Sequence, residues 1–207
     1  MDRLALGRRF ARFVTDAVVR YPFLWRIFRR PLRRQFDRIA PVWDGMRGPD
    51  SLAPLEAALE RVEAPRRALD LGTGTGMAAA AVKRRFTAAD VTGADLAPAM
   101  IEQARRNVPG VEFQVADAAR LPFEDASFDL VTLANMIPFF HELARVVAPG
   151  GSVVIAFSAG AETPIYVSTE RLEGQLRRVG FAHFASVEAG RGTALLAQKA
   201  VSQNTSG

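Results

Sequence analysis

The chain has no cysteine in its 207 residues, which rules out disulfides, thiolate metal sites and a cysteine nucleophile. Histidine is nearly as scarce. His141 and His183 are the two present, too few for a histidine-rich metal centre, so no metal is expected. Lysine is confined to Lys83 and Lys199, leaving arginine to carry almost all positive charge. No uncharged run approaches the roughly 18 residues that a membrane span requires. "GRRFARFV" near the start has the paired arginines of an export signal. Asp16, Arg20, Arg26 and Arg29 break the apolar stretch that should follow, so a cytoplasmic location is the expectation.

What is present is unevenly distributed. Residues 1–40 hold 11 Arg against three Asp, a net +8, whereas the whole chain is +5, so residues 41–207 carry −3. A basic arm thus precedes a mildly acidic body. Within the arm, Leu6, Phe10, Phe13, Val14, Ala17, Val18 and Tyr21 recur at helical spacing with arginines largely off the stripe, as in an amphipathic helix. "YPFLWRIFRR" reads as a second helix stopping before Pro31, and "PLRRQFDRIAPVWD" as a third ending at Pro41. After the "DGMRGPDS" loop, Leu52, Leu55, Leu59 and Val62 mark the apolar face of another helix.

From Arg67 the pattern alternates. "RALDL", "DVTGADL", "VEFQVAD", "FDLVTLANM" and "SVVIAFS" read as strands. "GMAAAAVKRRF", "APAMIEQARRN", "FFHELARVVAPGG" and "STERLEGQLRRVG" read as helices between or after them. "FAHFASVEA" and "GTALLAQKA" form a closing hairpin turning at Gly190 and Gly192. This rhythm predicts an α/β fold with a doubly wound, mostly parallel sheet. The expected organisation is a basic helical extension over 1–64, a core over 65–200 and a disordered tail over 201–207.

Ligands of such sheets bind beyond the carboxyl ends of the strands. There the sequence places Asp70, then Gly72, Gly74 and Gly76, then Asp95 at the end of the second strand, Asp117 after the third and Asn135 after the fourth. Asp95, 19 residues after Gly76, suits a ribose diol, since a carboxylate accepts from both hydroxyls. As a strand-end carboxylate facing a cleft it should carry little packing. The spacing Gly-x-Gly-x-Gly differs from the pyrophosphate-binding Gly-x-Gly-x-x-Gly. Asp70 just before the turn would repel a phosphate and attract a cation. The ligand implied is a nucleoside with a cation and no phosphate, which S-adenosylmethionine satisfies.

These segments resemble the core of the class I S-adenosylmethionine-dependent methyltransferases. "LDLGTGTG" is similar to the family's glycine motif and "VTGADLAPAMIEQAR" to its second-strand acid segment. "VEFQVADAARLPFEDASFDLV" is similar to its adenine-binding segment, and "ELARVVAPGG" to the stretch before the fifth strand. The resemblance implies a seven-stranded Rossmann-like methyltransferase fold and S-adenosylmethionine as cofactor. It assigns Gly72, Thr73, Gly74 and Gly76 to the methionine part, with Asp70 helping to hold the ammonium. Asp95 takes the ribose, Leu96 lies against adenine, and Asp117 and the Ala118 amide take the adenine edge. Asn135 falls near the transferred methyl. "FDRIAPVWD" also resembles the segment preceding the core in the quinone- and sterol-type C-methyltransferase branch, where tyrosine is usual at the position of Trp43.

The acceptor expected is small and apolar or amphipathic, taken up by Trp43 and by "MIPFF", namely Met136, Ile137, Phe139 and Phe140. Candidates for catalytic groups are Asn135, alternatively a structural turn residue, and His141, alternatively an exposed or capping residue. The arm is expected to pack as a lid and to give peripheral contact with anionic membranes at the inner face. Two other classes stay open: a cofactor-binding interaction protein without catalysis, and a nucleic-acid methyltransferase using the arginines on phosphate. Against the second, no "PPY"-like motif follows the fourth strand.

Overall fold

The computed structural model describes residues 3–48 and 50–201; the expected tail, beyond Val201, lies outside them. Seven strands form one sheet: β1 (Arg67–Leu71), β2 (Asp90–Asp95), β3 (Glu112–Val115), β4 (Phe128–Ala134), β5 (Val147–Phe157), β6 (Phe181–Ala189) and β7 (Gly192–Lys199). Their order is β3-β2-β1-β4-β5-β7-β6. All pairings are parallel except those of β7 with β5 and β6. The sheet reverses direction between β1 and β4, and a cleft opens beyond the strand ends at that point.

Alternation along each strand feeds two cores. Leu69, Leu71, Val131, Leu133, Val153 and Ile155 face a layer formed by α1 (Arg3–Arg20), α6 (Phe140–Val146) and α7 (Thr169–Arg178). Ala68, Leu130, Val154 and Ala156 face α3 (Ala53–Leu59), α4 (Met77–Arg85) and α5 (Pro98–Asn107) on the other side. With both faces covered, the central strands are largely apolar, with Asp70 of β1 and Thr132 of β4 as buried polar exceptions. The expected stripe of α3 is buried at Leu52, Leu55, Leu59 and Val62.

The elements depart from expectation in three ways, two of them in the arm. First, α1 seats on the core through Val14, Val18 and Val19, leaving Phe10 and Phe13 of the expected stripe in solvent. Second, Pro31 does not stop a helix: α2 runs unbroken over Trp25–Ile39. Pro31 and Ile27 lie on the exposed side, so the carbonyl deprived of its intrahelical donor is on the wet face, where the break costs least. Third, α6 ends at Val146 and β5 starts at Val147, inside the stretch expected to be helical. Pro149 would have to occupy the helix interior, and the residue before a proline is driven to extended backbone. Val147 accordingly pairs with Phe128 across a register shift.

Candidate functional site

The sheet-end floor of the cleft is fixed by backbone chemistry. Gly72, Gly74 and Gly76 all adopt left-handed φ, at 67°, 55° and 91°, a region that a Cβ makes costly. The amides of Gly72 and Thr73 donate to the Ala94 carbonyl at 2.8 and 3.1 Å, stitching the turn to β2. Asp95 completes the stitch: its Oδ2 accepts from the Gly74 amide and its Oδ1 from the Ala97 amide, both at 2.9 Å. Asp95 therefore carries structure as well as facing the cleft, contrary to expectation. A carboxylate has about four acceptor positions, so it retains capacity toward the cavity that it lines. Burial pushes its pKa up.

Behind the glycine turn, Asp70 is fully buried. The Thr132 hydroxyl donates to its Oδ1 at 2.8 Å, while Oδ2 has no partner. Burial raises its pKa to about 6. Thr73 Oγ1 and Trp43 Nε1 are likewise buried without partners. Arg47, a half-buried residue of the "DGMRGPD" loop, lines the same cavity. Burial lowers its pKa while Asp70 and Asp44 oppose that shift. Sequence reasoning passed over Arg47 because nothing in that loop marks one arginine among many.

Asp117 is already engaged. Trp25 Nε1 donates to its Oδ1 at 2.7 Å, Arg29 Nη1 to its Oδ2 at 3.3 Å, and the Ala119 amide to Oδ1 at 3.0 Å. The arm thus covers this carboxylate, which does not reach the cavity surface; Leu96 and Ala118 beside it do. Asn135 lines the cavity but holds a left-handed φ of 55°. Its Nδ2 donates to Ser158 Oγ at 3.0 Å and its Oδ1 accepts the Ser158 amide at 2.9 Å. The side chain joins the ends of β4 and β5, which gives Asn135 a structural role at the turn while it lines the cavity.

His141 is exposed on the first turn of α6 and lines no part of the cavity, which removes it as a catalytic candidate. Thr73 and Gly76 also lie off the cavity surface; a Cβ on Gly76 would meet Val108 Cγ2 at 2.9 Å, so this glycine serves helix packing. Of the expected acceptor residues, Trp43, Met136, Ile137 and Phe139 line the cavity, whereas Phe140 is buried in the core. Met136 lies against Gly72, where a Cβ would stand 2.7 Å from its Sδ.

The roof comes from the arm: Trp25, Leu32, Phe36 and Trp43. Trp25 meets Phe139 edge-on at 5.3 Å between ring centres, and Phe36 meets Trp43 at 5.6 Å. Polar tethers hold it down. Thr75 donates to Asp44, and the Ala99 amide donates to Asp37 at 3.1 Å. The enclosed space is about 160 Å³, short of the roughly 300–1,000 Å³ typical of small-molecule sites.

Residues 68–151 match the family described as a methyltransferase domain. Over that segment the chain is similar to methyltransferase domains, and the similarity implies S-adenosylmethionine as cofactor. The chain is 46% identical over 112 residues to a demethylmenaquinone methyltransferase of Thermus thermophilus, covering 49% of this chain and 50% of that protein. It is 40% identical over 154 residues to a malonyl-[acyl-carrier protein] O-methyltransferase of Halorhodospira halophila, covering 66% and 50%. The chain thus spans about half the length of these curated relatives. A solved S-adenosylmethionine-dependent methyltransferase from Aquifex aeolicus superposes with a TM-score of 0.65 at 18% identity, covering 77% of this chain and 98% of that one. At that identity the likeness concerns the fold alone. The methyltransferase domain matched by sequence contains the glycine turn, Asp95, Asp117 and Asn135, but none of the roof residues contributed by the arm.

Proposed function

We propose that this chain transfers a methyl group from S-adenosylmethionine to a small, apolar or amphipathic acceptor admitted between the arm and the strand ends. The observation that carries this is the division of the cavity. Its charged lining is Asp95 at the β2 end and Arg47 from the loop, with Asp70 buried behind the glycine turn, whereas Trp25, Leu32, Phe36, Trp43, Met136, Ile137 and Phe139 line it with large apolar side chains. The residues present fit the cofactor. The unpartnered Asp70 Oδ2 offers a buried negative charge for its cationic amino-acid end, and Arg47 offers a cation for its carboxylate. Asp95 has spare acceptor positions for ribose. Asp117 accepts the adenine amino group once Trp25 and Arg29 release it, with Leu96 and Ala118 flanking the base. When bound, the cofactor supplies an electrophilic methyl.

What the protein contributes is alignment and exclusion of water, and near-attack positioning is worth roughly 7–11 kcal/mol. The names of the relatives, a demethylmenaquinone and a malonyl-carrier methyltransferase, support an acceptor of this class. The test is calorimetry with S-adenosylhomocysteine and NAD, followed by transfer of isotopically labelled methyl to a panel holding a prenylated quinone, a malonyl thioester and a polar polyacid. Binding of S-adenosylhomocysteine alone and labelling of an apolar or amphipathic acceptor are expected. Labelling of the polyacid alone would overturn the acceptor class. Cofactor binding with no transfer to any acceptor would favour the non-catalytic reading.

A further inference from the structure

We propose that the outer surface of the arm is a docking face for an anionic lipid bilayer. α2 has two dissimilar sides. Trp25, Leu32 and Phe36 point into the cleft, whereas Arg26, Arg30, Arg34 and Arg38 recur every fourth residue along the opposite, exposed side. A four-residue repeat keeps side chains on one helix face. Among the described ion pairs of the arm, Arg29 is matched by Asp117, Arg33 by Asp37 and Asp16 by Arg171. The four outward arginines have no acidic partner there.

The arm also leaves large apolar side chains in water: Phe23 is 68% exposed and Ile27 65%, while Phe10 and Phe13 on α1 are 59% and 64% exposed. Phe10 and Phe13 are left out because α1 seats on the core through Val14, Val18 and Val19 instead. A crevice between α1 and α7 adds Arg20 and Arg178, with Gln175 and the Asp16–Arg171 pair on its walls. The arm's net +8 against a body of −3 gives the molecule one face that an anionic surface attracts and another that it repels.

The mixture of side chains selects the partner. A nucleic acid would neutralise the arginines yet leave four bulky apolar groups in water. The interfacial zone of a bilayer accommodates both, with aromatic and aliphatic groups at the acyl boundary and guanidinium groups among the phosphates. This inference concerns the outer face alone, and it is tested without cofactor turnover, so its failure would leave the methyl-transfer reading untouched.

The test is flotation of the full chain with vesicles of phosphatidylglycerol mixed into phosphatidylcholine, against vesicles of phosphatidylcholine alone, over a range of salt. Two variants accompany it: R26Q/R30Q/R34Q/R38Q and F10S/F13S/F23S. All seven positions lie off the cavity, so binding of S-adenosylhomocysteine serves as a check on folding. Salt-sensitive binding to the anionic vesicles is expected. The arginine variant should weaken it on the order of a hundredfold, and the aromatic variant should weaken it at unchanged charge. Should the arginine variant fail to fold, the aromatic variant and the salt series decide. No binding to anionic vesicles at low salt, equal binding to neutral ones, or full binding by folded variants would overturn the proposal. Binding of a short DNA duplex in place of vesicles would overturn it in favour of nucleic acid.

Discussion

The floor and the roof of the cavity are held by different forces. On the floor, two side chains are bonded to backbone close in sequence or after the neighbouring strand: Asp95 to the Gly74 and Ala97 amides, Asn135 to the Ser158 amide. The roof is apolar packing over the strand ends, pinned by contacts between distant residues such as Trp25 with Asp117 and Asp44 with Thr75. A lattice of backbone bonds cannot loosen piecemeal, whereas a packed helix with a few side-chain tethers can detach as a unit. The floor therefore suits binding of an invariant cofactor. The roof suits admission and selection of an acceptor.

The contrast is broken most severely by Gly76→Val. A β-branched residue at φ 91° with its Cβ 2.9 Å from Val108 Cγ2 should lower unfolding free energy by about 2–6 kcal/mol, combining backbone strain with overpacking; urea denaturation measures it. Asp95→Ala should cost about 1.5–3 kcal/mol of S-adenosylhomocysteine binding. Because the Gly74 and Ala97 amides lose their acceptor, the melting temperature should fall as well. A loss of affinity at unchanged stability would show that the floor does not depend on this anchor.

Proton linkage at Asp70 comes next. With its pKa raised from 3.8 to about 6 by burial, the folded protein binds more protons than the unfolded chain between those values. Stability of the free protein should therefore decline as pH rises from about 4 to about 6 and level off above. A cationic ligand favours the ionised form, so cofactor affinity should fall about tenfold per pH unit below about 6. Calorimetry across pH should show this slope in the wild type and its loss in Asp70→Asn.

Trp25→Phe sharpens the comparison from the roof. It keeps a ring against Phe139 but removes the N–H bound to Asp117, so cofactor binding should tighten by about twofold to tenfold. Weaker binding would mean that the indole assists the cofactor rather than competing with it. The smallest effect belongs to His141→Ala, exposed and outside the cavity, which should leave methyl transfer within about twofold of wild type.

The floor was legible in the sequence because its elements are local: glycines at fixed intervals, acids at strand ends, apolar runs of strand length. Its energetic duties were less legible. Asp95 read as a free ligand, since the Gly74 amide that it ties down becomes its neighbour only when β1 and β2 pair. The arm was legible as helix and charge but not as faces. The apolar spacing of α1 pointed to Phe10 and Phe13 as well as Val14 and Val18, yet only the two valines of these four are buried, together with Val19. No membrane-spanning helix was expected, and among the described residues no helix is long and apolar enough to cross a membrane.

By itself, then, the amino-acid order determined the alternating strands and helices, the left-handed turn that only glycines adopt without cost, and the acids at the strand ends. Each of these follows from short-range backbone preference and periodic burial. Tertiary structure decided which of those acids face the cavity. It tied Asp95 to the turn, buried Asp70 with one oxygen unpartnered and set Trp25 and Arg29 on Asp117. It also divided α2 into an inward aromatic face and an outward arginine ladder. Those outcomes depend on groups brought together from 21 to 92 residues apart, and on desolvation, which no residue has until the chain has closed around it.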